Sequence, residues 1–204
     1  LAVYVSEYLP SDKRARVLGV LELFEGIPTV VFGYFALLFV TPLLQKVIPG
    51  LSLFNPLSAG LVMGFAILPY VSNVAADAMQ SVPRSIREAA YALGARPYEV
   101  ALKVVLPAAL SGVIAAIILA ASRAIGETMI VAIAAGQRPT LTLDPRETIA
   151  TMTSYIVQAA TGDQPTGSTA YYALFAVGFT LFLLTLALNV LAQYIVERYR
   201  ERYE

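Results

Sequence analysis

The sequence predicts an all-α membrane protein, a polytopic helical bundle with about four transmembrane helices, and three observations predict it. Hydrophobic residues make up 58% of the 204 and charged residues only 14%, with a mean hydropathy of +0.70. A soluble domain carries about 25% charged residues, so this chain has too little polar surface to cover a globule. Its apolar residues fall into four stretches, each close to the roughly 20 residues that cross a bilayer core of about 30 Å. Lys and Arg are distributed unevenly between the segments that join those stretches.

In chain order, "LAVYVSEYL" has no initiator Met and reads as the inner end of a helix, so a piece of a longer protein with further N-terminal spans is expected. After "SDKRAR" the first span runs from about Val20 to Leu44, with Gly26, Pro28 and Gly33 as candidate bend points. The second runs from about Leu57 to Ala76 and contains Pro69, another candidate bend. The third runs from about Pro107 to Ala135, and the fourth from about Tyr171 to Val196. Asn189 in the fourth either lines a path or bonds between helices. All 204 residues are expected to form one transmembrane domain, with a cytoplasmic segment at 81–106 and an outer one at 136–170.

Positive loops stay in the cytoplasm. Lys13, Arg14, Arg16, Arg84, Arg87, Arg96, Lys103, Arg198, Arg200 and Arg202 fall on one side of this arrangement, against Lys46, Arg138 and Arg146 on the other. Both ends of the chain and the segment at 81–106 are therefore expected on the cytoplasmic side of a prokaryotic inner membrane. In the outer segment, Pro145 as a start and Gly162 as a stop predict a helix from about Pro145 to Ala160, either capping the bundle or gating a pore. Asp144 and Glu147 then read as acids at a helix start.

The cytoplasmic segment "DAMQSVPRSIREAAYALGARPYEVALKVVLP" is nearly thirty residues long, where bundle connections usually take about two to eight. Pro83 suits a first helical turn, and Ser85 with Glu88 has the spacing of a capping box. Gly94 suits a left-handed helix end, and Pro97 the start of a second helix. An exposed apolar helix face of this kind expects a partner.

Its core, "EAAYALGARPYEVALKVVLP", resembles the EAA loop of ABC importer inner-membrane permeases of the binding-protein-dependent, MetI-like type. The matching positions are Glu88, Ala89, Ala90, Gly94, Leu106 and Pro107, with Val104 in place of the usual Ile. "LELFEGIPTVVFG", "VVLPAALSGVIAAIILAASRAIGETMIVAIAAG" and "YYALFAVGFTLFLLTLALN" extend the resemblance, which is greatest to the phosphate-importer permease of PstC type. Glu25 departs from the family pattern, which has a small or apolar residue before "GIP".

The resemblance implies a type I ABC importer permease fold that transports phosphate and is not an enzyme. It implies docking of the EAA loop onto an ABC ATPase dimer that binds ATP-Mg, so no cofactor is expected in this chain. It also implies a PstA-like second permease subunit and an extracytoplasmic phosphate-binding protein.

The third span carries Arg123 and Glu127 inside an apolar run. A charge at a helix centre costs about 2.5–3.5 kcal/mol on an insertion scale, so such residues usually face protein or a wet path. Arg123 lies about 24 Å along a helix begun at Pro107. At about 100° per residue, Gly112, Ala116 and Ala120 project near Arg123, whereas Ile114, Ile118 and Ile125 project away. The four-residue spacing allows Arg123 and Glu127 to pair. The pair locks helix packing, or Arg123 holds carbonyls of a broken helix, or the two line a substrate path. The resemblance favours the last, because its "RALGE"-type motif falls on Arg123 to Glu127, and a guanidinium matches phosphate oxygens bidentately.

The chain has no Cys and no His, which removes disulfides, thiolate chemistry and the commonest metal ligand and general base. A formal net charge of zero gives no basic field for nucleic acid, so lipid and protein are the expected surroundings. The alternatives are a permease for sulfate or molybdate, a PstA-like sister subunit, or an ion-coupled transporter or channel without an ATPase.

Overall fold

The computed structural model describes residues 1–162 and 165–199; Arg200 and Arg202, two of the expected cytoplasmic charges, lie outside that range. The regular elements among the described residues are helices. They run α1 Ala2–Glu7, α2 Ser11–Glu25, α3 Thr29–Gln45, α4 Pro56–Gln80 and α5 Arg84–Ala92. There follow α6 Pro97–Ala108, α7 Leu110–Gly126, α8 Met129–Ala134, α9 Met152–Thr161 and α10 Thr169–Tyr199. Wider π-helical turns interrupt α3 at Ala36–Val40 and α6 at Val100–Val105.

Helices α4 and α10 are each long and apolar enough to cross a membrane, and the total reaches four if two bent helix pairs are each one span. The apolar stretches are thus where the sequence places them, but two are not single helices. The first divides into α2 and α3 at Gly26, Ile27 and Pro28. Pro28 has no N–H to donate, disfavours a helical conformation at Ile27, and itself takes φ −57°, ψ 133° as the residue before α3. The third divides into the end of α6, then α7 and α8. Pro69, by contrast, is buried inside an unbroken α4. Gly33 marks a close approach: a Cβ there would stand 3.0 Å from Ile133 Cδ1 and 3.1 Å from the Met129 carbonyl oxygen.

The chain forms two compact units. One comprises 27–67 and 123–187. Its core joins Ala36 of α3, Ala59 and Val62 of α4, and Val131, Ala134 and Ala135 in and after α8, with Phe32, Val40, Met63 and Ile149 against them. Asn55 caps α4, its Oδ1 accepting from the Ser58 N–H at 2.8 Å while its own N–H donates to the Ala134 carbonyl at 2.9 Å. Thr41 donates to Ser58 Oγ at 2.7 Å, so this fully buried polar cluster is hydrogen-bonded.

In the same unit the outer helix begins at Met152, seven residues after the Pro145 signal. Residues 145–150 spend their backbone groups elsewhere. The Arg146 carbonyl accepts from Ser52 at 3.0 Å, the Pro145 carbonyl from Leu57 at 3.3 Å, and the Ile149 N–H donates to Ala135 at 3.2 Å. The cap is Thr151, whose hydroxyl accepts from the Ser154 N–H at 3.1 Å while its own N–H donates to Ser154 Oγ at 2.9 Å. Gly162 stops the helix as expected, in an extended conformation. Asp144 therefore starts no helix; it grips Arg146, with Nη2 to Oδ2 at 2.6 Å.

The other unit comprises 1–26, 68–122 and 188–204. Its core joins Met79, Val82, Val100, Val105 and Ala109, with Val3, Ile86, Ala90, Ala95, Leu106 and Val113 packed on them. The start of α1, the end of α4, both helices of the 81–106 segment and the start of α7 thus share one apolar centre. Gly112 of α7 lies so close to Ala78 of α4 that an added Cβ would stand 2.6 Å from the alanine methyl.

Candidate functional site

The segment at 81–106 forms helix, turn, helix, as its punctuation predicts. Helix α5 ends in a Schellman motif: Gly94 takes φ +81°, its N–H donates to the Tyr91 carbonyl at 2.9 Å, and the Ala95 N–H reaches back to Ala90 at 3.1 Å. Only Gly adopts that conformation without a Cβ penalty. The expected Ser85–Glu88 capping box does not form. Pro83 holds the cap position with no side-chain hydrogen bond. Glu88 makes no ion pair or hydrogen bond among the described residues, and Glu88 and Ala89 are exposed. Tyr91, Leu93, Tyr98 and Leu102 are exposed as well, Leu93 to 90%. Ala90 turns inward onto the apolar core.

Helix α6 starts at Pro97, and Glu99 holds its first turn by accepting from the Arg96 N–H at 3.1 Å and Lys103 Nζ at 3.2 Å. The backbone bond from Arg96, then the Lys103 bond, hold the Glu99 carboxyl below its usual range. Leu106 packs on the core and Pro107 is exposed. Lacking an N–H, Pro107 cannot bond to the carbonyl four residues back, and the π-turn and a 70° bend between α6 and α7 fall at this point.

Two arginines that the sequence presented only as positive charge tie this segment to its surroundings. Arg87 of α5 donates Nε to Glu7 Oε2 at 3.1 Å and Nη2 to Glu7 Oε1 at 3.0 Å, and also bonds the carbonyls of Met79, at 2.8 Å, and Val82. Arg14 of α2 bonds the carbonyls of Val5, Ser6 and Leu9 and the Gln80 side chain, satisfying carbonyls at the end of α1. Burial pushes the Glu7 carboxyl up, but hydrogen bonds from Arg87 and Ser6 and the charges of Arg87 and Arg14 leave it below its usual range. The signal for Arg87 was its position one residue after Ile86 and three before Ala90, on the inward face of α5.

In the third apolar stretch the small-residue face is a packing face, as expected: Ala116 and Ala120 are buried and Gly112 meets Ala78. Arg123 lies in the last turn of α7 and is exposed in this chain, so it does not share the burial of Ala120. The structure changes the expected relation of Arg123 and Glu127. Helix α7 ends at Gly126, so the four-residue spacing does not place them on one helical face. Glu127 instead opens α8, its Oε1 accepting from the N–H groups of Met129 at 3.2 Å and Ile130 at 3.5 Å. Thr153 of α9 donates to the Glu127 carbonyl at 2.8 Å, pinning the break. Asn189 is exposed in this chain.

The family model for binding-protein-dependent transport system inner membrane components matches residues 3–201. The probable ABC transporter permease protein YqgH of Bacillus subtilis is 31% identical, over 97% of this chain and 63% of its own length. The phosphate transport system permease protein PstC of Xylella fastidiosa strain 9a5c is 32% identical, over 97% of this chain and 66% of its own. The chain thus spans just under two thirds of the length of these curated relatives. Among solved structures, an inward-facing MetNI methionine ABC transporter chain is similar with a TM-score of 0.64 and 16% identity. That likeness covers 95% of this chain and 82% of the other, and it shows the fold.

Proposed function

The chain belongs to the binding-protein-dependent transport system inner membrane component family, and from that premise we propose that it is the permease subunit of an ATP-driven phosphate importer. The observation that carries this reading is the EAA-like segment. Its inner face is built into an apolar core, while Glu88, Ala89, Tyr91 and Leu93 face outward, Glu88 making no hydrogen bond or ion pair among the described residues. An exposed face of Ala89, Tyr91 and Leu93 beside one carboxylate fits a groove on an ABC ATPase dimer that binds ATP-Mg. A PstA-like second permease and an extracytoplasmic phosphate-binding protein complete the machine, with the α5–α6 segment on the cytoplasmic side. The similarity to a permease named for phosphate transport supports the substrate.

In this mechanism, ATP binding moves the docked α5–α6 segment, and the core shared with α4 and α7 carries the movement into the membrane. Access then alternates between the two sides. Arg123 meets the phosphate in the path, since a guanidinium keeps its charge when desolvated and offers a planar fork to oxyanion oxygens. Glu127 fixes the helix break beside it by capping α8. The test is uptake of labelled phosphate by the assembled complex carrying Arg123→Ala. Loss of uptake with the subunits still assembled is expected, and undiminished uptake refutes the role of Arg123.

A further inference from the structure

We propose that Arg87 and Glu7 form the strut through which the cytoplasmic α5–α6 segment moves the rest of its unit, so that the pair sets the coupling between ATP hydrolysis and transport. This rests on the docking role given above to that segment and names the positioning residues behind it. Arg87 is the side chain of α5 that reaches three separate elements at once: the Glu7 carboxylate at the end of α1, the Met79 carbonyl at the end of α4, and the Val82 carbonyl between α4 and α5. A flat guanidinium with five donors in fixed directions suits this, and a lysine ammonium cannot reproduce it.

The pair is shielded from water, with the Arg87 side chain 17% and the Glu7 side chain 8% exposed, so it is little screened. Among the described residues, α5 contributes Ile86 and Ala90 to the apolar core beneath it. Such contacts are non-directional and let a short helix slide or roll. The doubly hydrogen-bonded ion pair is directional and resists both motions. Arg14 stiffens the far end, bonding the Val5 and Ser6 carbonyls beside Glu7 and reaching Gln80 at the end of α4. A push on the outward face of α5 therefore reaches α1 and α4 through Arg87.

The chain has no native cysteine, which makes a reversible test direct. The full-length permease is assembled with its ATPase and sister subunit in proteoliposomes. Labelled phosphate taken up per ATP hydrolysed is then measured for wild type, for Glu7→Gln, for Arg87→Lys, and for the Glu7→Cys/Arg87→Cys pair. The pair is read before and after bridging with a short thiol-cleavable bis-methanethiosulfonate linker that holds the two backbones at a fixed separation.

All three variants are expected to retain bound ATPase and near-normal hydrolysis, with at least a tenfold fall in phosphate moved per ATP. Bridging the cysteine pair restores the ratio, and reduction abolishes it again. A merely structural role predicts parallel losses of assembly, hydrolysis and uptake, with no recovery on bridging. Wild-type ratios in Glu7→Gln and Arg87→Lys, or a bridged pair no better coupled than the reduced one, overturn the proposal. If the cysteine pair does not assemble, the ratio in Glu7→Gln, which keeps the side chain's shape, decides. Gly94→Val serves as the separate check on docking: should it bind ATPase as wild type does, the docking reading fails independently of the strut.

Discussion

Replacing Gly112 by alanine tests the packing of α7 on α4. The new Cβ would stand 2.6 Å from the methyl of Ala78 and 3.7 Å from its Cα. Carbon atoms prefer to lie about 3.5–4.0 Å apart, so the helices must separate by about 1 Å. Alanine has no rotamer to escape into, and overpacking of this kind costs about 1–3 kcal/mol. Against this, Gly→Ala in a helix interior gains up to about 1 kcal/mol of helix propensity, so the single variant is destabilised by only about 0–2 kcal/mol.

The decisive quantity is the interaction between the two sites. Ala78→Gly removes the obstructing methyl, so in the double variant the overpacking cost vanishes, and a double-mutant cycle should return a coupling of about 1–3 kcal/mol. Thermal unfolding of the purified chain in detergent reads this out, with Gly64→Ala as a control. Gly64 lies in α4 with nothing near its added Cβ, so that variant should gain stability. Additive effects of Gly112→Ala and Ala78→Gly would refute the contact.

Gly94→Ala should strain the end of α5 by about 1–2 kcal/mol, because φ is +81° there although the space is open. Co-purification of the ATPase with that variant should fall. Thr151→Ala should loosen the start of α9 by about 0.5–2 kcal/mol, measured as faster amide exchange at Ser154. The Asp144 carboxyl, held at about 2 by side-chain and backbone hydrogen bonds from Arg146, should rise toward 3.8 but stay below it in Arg146→Ala when followed by carboxyl NMR, because the backbone N–H of residue 146 still bonds it. Its folded value lies below its unfolded one, so the pairing helps above pH 3.8 and is lost as pH falls through about 2.

What the sequence made legible follows from signals that act locally. Gly94 and Pro97 forced the turn between α5 and α6 whatever surrounded them, and the apolar length of α4 and α10 required little else. Apolar composition marks a stretch as membranous but says nothing of a break inside it. Gly126 and Thr128 interrupt the third stretch between two equally apolar halves, so Arg123 and Glu127 looked like helical neighbours. The start of α9 was misplaced because residues 145–150 find backbone partners at 52–57 and Ala135, contacts far away in sequence. Arg87 and Glu7, 80 positions apart, carry no sign of their pairing in either local context.

ATP-dependent uptake of labelled phosphate by the reconstituted transporter, competed with excess sulfate and molybdate, tests whether the protein is a phosphate permease. Uptake that requires the phosphate-binding protein and resists both competitors is the predicted result. Uptake abolished by sulfate or molybdate, or absent while the assembled complex moves another solute, would contradict it.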